Sequence, residues 1–346
     1  MALFEKAEPS DAPCYPTALH DTSRRHYQGH AALTTHIPAT VVLGEANPSS
    51  FAAASYAADA LEGCALYPND RLPSLPRDKL RVMCLICGGR TRYFFSKTFN
   101  VFQLGEVDYW RCEECGFTIS KTHAEMTPDD WFLLNKQYHA AYQGSEQNPD
   151  DPRWIKRLTN QAEVLSDAAQ VGVLSSGGRW LDYACGDGRL SQSLQSLGHT
   201  LLKFDPYMAR GIDYLAESAL TPGTFDLVLT TSVFEHFTRR QQFDSVEALV
   251  ARGGVLGLHT LVCERVPCDP TWFYLLPVHC AFHTNESMNR LFKQWGYAWS
   301  VYNVVSRLWL WFKPPCLELP ERVASANRRP NAPSYILKDG FVDFWK

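Results

Sequence analysis

From residue 178 onward, short apolar runs alternate with amphipathic stretches. The runs fall at 179–183, 200–204, 226–231, 255–262, 298–304 and 308–312, each the length of a strand. Between them the spacing turns helical. Leu190, Leu194 and Leu197 share one helical face, and Met288, Leu291, Phe292 and Trp295 form a stripe over 285–295 that Gly296 ends. Such alternation predicts a mostly parallel sheet covered on both faces. The last two runs are joined by only Val305-Ser306-Arg307. So short a link cannot make a parallel crossover, so an antiparallel hairpin is expected at the end of the sheet. The stretch between Pro206 and Phe225 is short, which leaves a third strand abbreviated or absent.

Upstream, Trp131, Leu134, Tyr138 and Tyr142 lie on one helical face, and Ile155, Leu158, Ala162, Leu165 and Ala169 on another. Helices at 129–142 and 153–169 are expected, with a polar Pro- and Asp-rich loop between them. Residues 126–175 read as a helical lid or linker, 176–320 as the α/β domain and 321–346 as a C-terminal tail. Residues 1–78 are rich in Ala, Pro, Ser, Thr and His and show no period beyond one short helical stretch at 51–61, so an irregular or disordered region is expected. His20, His26, His30 and His36 there are irregularly spaced and read as solvated. No internal repeat is visible.

Composition narrows the class. The chain has 346 residues, 45% of them hydrophobic, enough for real cores. A net charge of −4 gives no basic field to draw nucleic acid or anionic membranes. No run approaches the ~20 apolar residues of a membrane span. The start, Met-Ala-Leu-Phe-Glu-Lys-Ala-Glu, carries acids early and has no long apolar core, so a secretory signal is not expected. Eleven cysteines, an odd number, favour a reducing cytoplasmic setting over a disulfide framework. Four of them form Cys84-x-x-Cys87 and Cys112-x-x-Cys115, each followed by glycine. Two such knuckles predict a small zinc ribbon over 79–125 with Zn(II) held by four thiolates. A closed four-ligand shell is structural. An iron site of the rubredoxin kind or free thiols are the alternatives. The other cysteines, Cys185 among them, read as small core residues. Between residues 79 and 125 there are seven Lys/Arg, five Asp/Glu and many aromatics. That balance points to a docked module rather than a phosphate-tracking face.

Candidate ligand chemistry centres on residues 180–190, Trp-Leu-Asp-Tyr-Ala-Cys-Gly-Asp-Gly-Arg-Leu. An apolar strand stops at Asp182, a small-residue turn runs through Ala184, Gly186 and Gly188, and a helix follows. Backbone amides can approach a ligand in such a turn. Asp205 ends the next strand, 23 residues on, where a carboxylate can accept both hydroxyls of a ribose. Phe225-Asp-Leu-Val-Leu-Thr-Thr-Ser-Val-Phe-Glu-His236 follows, and Gly253-Gly254 opens another strand. The first stretch resembles motif I of the class I S-adenosylmethionine (SAM) methyltransferases, and the others are similar to that family's later motifs, over about 135 residues. Ala184 stands at the first glycine of the motif, which the turn is expected to accept with φ negative. The resemblance implies an α/β, Rossmann-like sheet, mostly parallel, with an antiparallel terminal hairpin. It implies SAM as cofactor, held by Asp182, Ala184, Gly186, Gly188, Asp205 and Ser232. The family's adenine-contacting residue follows the missing third strand and is not assigned. An NAD-binding domain would want glycine three residues after Gly188, where Ser191 stands.

The fourth strand is followed by Ser-Val-Phe-Glu-His, not by the Asn/Asp-Pro-Pro-aromatic run of base-amino methyltransferases. An oxygen or carbon acceptor needs a base near neutral pH, so Glu235, His236, His279 and His283 are the candidates, with the Tyr274 phenol weaker. Trp272, Phe273 and Phe282 are expected to wall the acceptor pocket. An N-terminal ribbon before such a domain resembles the deoxysugar C-methyltransferases and a bacterial ribosomal-RNA guanine methyltransferase. The expected activity is methyl transfer to oxygen or carbon of a small molecule, a sugar, natural-product or cell-surface precursor. Acceptors of that size make a small molecule, not nucleic acid, the expected partner. RNA methylation and a non-catalytic SAM-fold subunit are the alternatives. Nothing in the sequence specifies the oligomeric state.

Overall fold

The computed structural model describes residues 83–142, 152–207 and 213–343. The region 1–78, with the helix expected at 51–61 and its four histidines, and residues 143–151, where a loop is expected, lie outside the described residues. In chain order the elements are β1 (Thr91–Phe99), β2 (Gly105–Cys112), β3 (Thr118–Ser120), α1 (Lys121–Ala124), α2 (Pro128–Tyr142), α3 (Pro152–Gln170), β4 (Trp180–Tyr183), α4 (Arg189–Ser196) and β5 (Leu202–Phe204). Then come β6 (Phe225–Thr231), α5 (Arg240–Glu247), β7 (Val250–His259), β8 (Val262–Cys263), β9 (Ala281–Thr284), α6 (Asn285–Gln294), β10 (Trp299–Asn303), β11 (Leu308–Phe312), α7 (Leu319–Asn327) and β12 (Ile336–Asp339).

The main sheet runs β12-β10-β11-β7-β6-β4-β5. Strands β5, β4, β6 and β7 are parallel, and β11 lies antiparallel between β7 and β10. This is the mostly parallel sheet with an antiparallel terminal hairpin expected from the sequence. Strand alternation divides the side chains between two cores. Val228, Leu256, Trp309 and Trp311 face one side, where α5 and α6 pack with Phe243, Leu291 and Phe292. Leu227, Leu229, Val255 and Leu310 face the other, with Leu190 and Leu194 of α4. Beyond β5 the sheet gains only a single bridge, Lys203 to Tyr214, so the third strand is indeed vestigial among the described residues.

Three expectations change. Leu158, Ala162, Leu165 and Ala169 of α3 are buried with α4 on the sheet, so most of the second lid helix is part of the sandwich. The segment after residue 320 is not a loose tail. Leu319, Val323 and Ala326 of α7 join the same core, and β12 pairs antiparallel with β10 as the sheet's edge. Gly253-Gly254 lies inside β7, which starts at Val250 and slips register against β6, with Gly253 at φ +73.

The second sheet runs β1-β2-β3-β9-β8. Its first three strands come from the cysteine-rich segment. The last two lie in the loop after β7, and β3 pairs antiparallel with β9 through Thr118–Phe282 and Ile119–Ala281. Phe117, Ile119 and Ile86 are buried in the same core as Phe234 and Phe292. Each such side chain is worth roughly 1.5–3 kcal/mol of burial. Three of them approach the net stability of a whole domain, so this module is structurally part of its neighbour. Thr284 is the joint. It ends β9, caps α6 by accepting from the Ser287 amide at 3.1 Å, and donates its hydroxyl to the Cys115 carbonyl.

Candidate active site

The turn after β4 is built from left-handed residues. Ala184, Gly186 and Gly188 have φ of +57, +58 and +76. The expected negative φ at Ala184 is therefore corrected: the motif's backbone path is kept, and alanine takes a conformation that disfavours a Cβ. At Gly188, which precedes α4 with no side-chain cap, an added Cβ would come within 2.7 Å of the Lys203 side chain. The turn is closed by its own amides: Cys185 donates to the Phe204 carbonyl at 3.0 Å and Gly188 to the Cys185 carbonyl at 3.0 Å.

Asp205 organises this turn. Its carboxylate accepts from the Gly186 amide at 2.7 Å and from the Tyr207 amide at 2.8 Å. Tyr214 donates to the Gly186 carbonyl at 2.9 Å. Asp182, at the end of β4, is 1% exposed. Its Oδ1 is buried with no hydrogen-bond partner. Burial, with the nearby Asp205 charge, pushes its pKa up to about 8. Two carboxylates at the mouth of the parallel strands favour a cationic ligand. Ser232, also left-handed at φ +61, follows β6, and its hydroxyl lies 3.4 Å from His259 Nδ1.

Beside the turn lies a second cluster. Glu235 and His236 form a 3-10 turn just after β6. Glu235 is buried, and burial raises its pKa. Tyr274 donates to its Oε1 at 2.6 Å and Thr260 to its Oε2 at 2.9 Å. Tyr274 thus serves as a donor to Glu235. Burial and that neighbouring carboxylate hold the phenol well above its usual pKa. The Cys280 amide donates to the Glu235 carbonyl at 2.8 Å and staples the loop before β9 to this turn. His279 packs against His236 at 5.0 Å between ring centroids and places Nδ1 2.9 Å from the Tyr274 carbonyl. His139 of α2 also packs against His236, with the rings tilted and 5.4 Å between centroids.

Burial holds all three imidazoles below their usual pKa, His139 and His279 at about 4 and His236 well below 6.5. The Asp205 charge partly offsets this for His139. Strands β4 and β6 are parallel neighbours, so the glycine turn and the Glu235–His236 turn leave the same edge of the sheet.

His283 is elsewhere. It is 1% exposed and sits among Phe117, Phe234 and Phe243, in the shared core rather than with His236 and His279. Phe282 is also core, packed on Tyr109 and Trp272, while Phe273 is 56% exposed. Three contributors had no sequence signal. His139 and Arg157 sit on helices read for their apolar faces, and Thr260 lies in a loop. The charge of Arg157 favours the ionised form of Glu235.

The four cysteine sulfurs converge at the ribbon's tip. Cys84 Sγ lies 3.6 Å from Cys115 Sγ and Cys87 Sγ 3.4 Å from Cys112 Sγ. Backbone amides of Ile86, Gly89 and Glu114 point at the sulfurs at 3.3–3.4 Å. Arg240 of α5 and Gln294 of α6 donate to the Ile86 carbonyl at 3.1 and 2.9 Å and hold the knuckle in place.

Residues 154–300 match a family described as a methyltransferase domain. No curated protein matches the chain. Among solved structures it is similar to 1,6-didemethyltoxoflavin-N1-methyltransferase of Burkholderia thailandensis, at 12% identity and a TM-score of 0.40, over 62% of this chain and 97% of that one. It is also similar to magnesium protoporphyrin IX methyltransferase of Synechocystis PCC 6803, at 13% identity and a TM-score of 0.37, over 53% and 97%.

Proposed function

We propose that this SAM-dependent methyltransferase acts on an oxygen or carbon of a small molecule, at the cluster formed by Glu235, His236 and His279. The observation that carries the proposal is the position of His139. It contacts His236, whose turn follows β6, and β6 pairs in parallel with β4, which the glycine turn follows, so both turns leave the same edge of the sheet.

The residues of the turn fit SAM. The orphaned Asp182 oxygen and the Asp182–Asp205 pair suit its positive charge, and the left-handed turn lets its backbone approach closely. Asp182, Ala184, Gly186, Gly188, Asp205 and Ser232 would hold it. SAM supplies an already activated methyl group, so the protein's task is alignment and proton control. Tyr274 and Thr260 fix Glu235. The imidazoles of His236 and His279 are neutral, and a neutral imidazole can receive the acceptor's proton. Trp272 and Phe273 would border the acceptor.

The cysteine site fits Zn(II). Bonds of about 2.3 Å to a tetrahedral zinc set sulfurs about 3.8 Å apart, close to the separations seen. The amides facing the sulfurs would offset thiolate charge. With four protein ligands its role is to hold β3 against β9 and thereby the loop that carries Tyr274 and His279.

Calorimetry with S-adenosylhomocysteine (SAH) tests the reading. One molecule should bind per chain, and Asp205→Ala should weaken binding at least tenfold through the lost anchor of the Gly186 turn. A chain that binds neither SAM nor SAH would overturn it.

A further inference from the structure

We infer that Glu235, His236 and His279 form a second metal site, one that takes a divalent first-row transition ion. One carboxylate oxygen of Glu235 and one ring nitrogen of each histidine lie within 4.8 Å of one another.

Hydrogen bonds around the cluster fix which atoms face inward. His279 Nδ1 meets the Tyr274 carbonyl, and a carbonyl only accepts, so Nδ1 carries the proton and Nε2 keeps its lone pair. His236 Nδ1 is buried with no hydrogen-bond partner among the described residues. A buried ring nitrogen without a partner is one that a ligand would satisfy. His279 therefore has its ring N–H tied to a backbone carbonyl with Nε2 left for a ligand, and His236 has an unpartnered Nδ1. Metal-bound histidines are oriented in this way. Glu235 is held likewise, with Tyr274 and Thr260 as its outer partners.

A further observation fits. Glu235 is a buried carboxylate, and a cation beside it would relieve the penalty of its charge. Arg157 supplies part of that relief from α3, and His139 and His123 are further titratable groups facing His236. Two nitrogens and one carboxylate oxygen leave coordination positions open and suit manganese, iron, cobalt or zinc better than calcium or magnesium. For its use in catalysis the site rests on the methyltransferase reading: an acceptor oxygen would complete the coordination shell, and with the imidazole lone pairs on the ion the metal would replace their role as base by making the acceptor more acidic. Its existence does not depend on that reading.

The full chain, produced in zinc-poor medium supplemented with cobalt, decides the matter. Two Co²⁺ ions per chain are expected. One should show the intense sulfur-to-cobalt charge-transfer bands of a thiolate site and the other only weak ligand-field bands. His236→Ala and His279→Ala should each carry one Co²⁺, keep the sulfur bands and still bind SAH. A single ion per chain in the unaltered protein, or two ions in both variants, would overturn the site. Absence of SAH binding with two ions present would instead count against the methyltransferase reading alone.

Discussion

Asp182 offers a perturbation with two opposite effects. Its carboxyl is buried with one oxygen unpaired, and its pKa stands at about 8 against an ordinary value of 3.8. A raised folded-state pKa means that the unliganded fold takes up a proton. That contribution to stability is complete below about pH 4 and is lost as pH rises toward 8. At pH 7, some three units above the unfolded value, the penalty relative to a permanently neutral side chain is about 4 kcal/mol, at 1.36 kcal/mol per unit. Asp182→Asn keeps the shape and removes the charge. It should therefore raise the melting temperature of the unliganded protein at pH 7 by roughly 8 °C, at about 2 °C per kcal/mol for a domain of this size. It should also flatten the decline in stability between pH 4 and 8. Binding of SAM, which favours the ionised carboxylate, should move the other way. Affinity for the wild type should rise close to tenfold per pH unit between pH 6 and 8. Asp182→Asn should bind ~10- to 100-fold more weakly at pH 8, the worth of a charge-assisted hydrogen bond. Melting curves with and without cofactor, and calorimetry at three pH values, measure both effects. A variant that melts lower than wild type at pH 8 and binds SAM unchanged would refute the reasoning.

The φ of +57 at Ala184 predicts that Ala184→Gly is neutral to stabilising by about 1 kcal/mol, against the usual penalty for glycine, as denaturant unfolding would show. Cys84→Ser should lose about one zinc per chain by metal analysis and several kcal/mol of stability, and should loosen SAH binding through the β3–β9 link. A metal-free variant that melts like wild type would rule out a structural zinc.

Much of the main sheet was legible because its strands carry strong local signals. Runs such as Phe225–Thr231 hold a continuous buried apolar stretch, Leu227-Val228-Leu229, as a strand covered on both faces does, and Val305-Ser306-Arg307 is too short for anything but a hairpin. The final strand was not legible. Ile336-Leu-Lys-Asp is polar and half-exposed, as an edge strand can be, and its place depends on pairing with β10. The backbone sign at Ala184 was misjudged because alanine itself argues for negative φ; the surrounding turn, pinned by Asp205 and Tyr214, overrides the local preference. The histidines show the limit most clearly. His279 and His283 lie four residues apart with the same composition around them, yet β9 sends His283 into an aromatic core while His279 stays with Glu235. Only the pairing of β9 with β3, across more than 160 residues of chain, decides which goes where.

That pairing also sets a timetable for the ribosome. Thr118 and Ile119 emerge long before Ala281 and Phe282, so a nascent ribbon has its hairpin and its thiolates but no third neighbour. Until the chain has been made past residue 284, Phe117 and Ile119 have no core to enter and remain open to chaperones or to one another. Loading the metal early would hold the hairpin ready during that interval. The knuckle would then act first as a clamp on an unfinished chain, and only afterwards as a brace for the finished one.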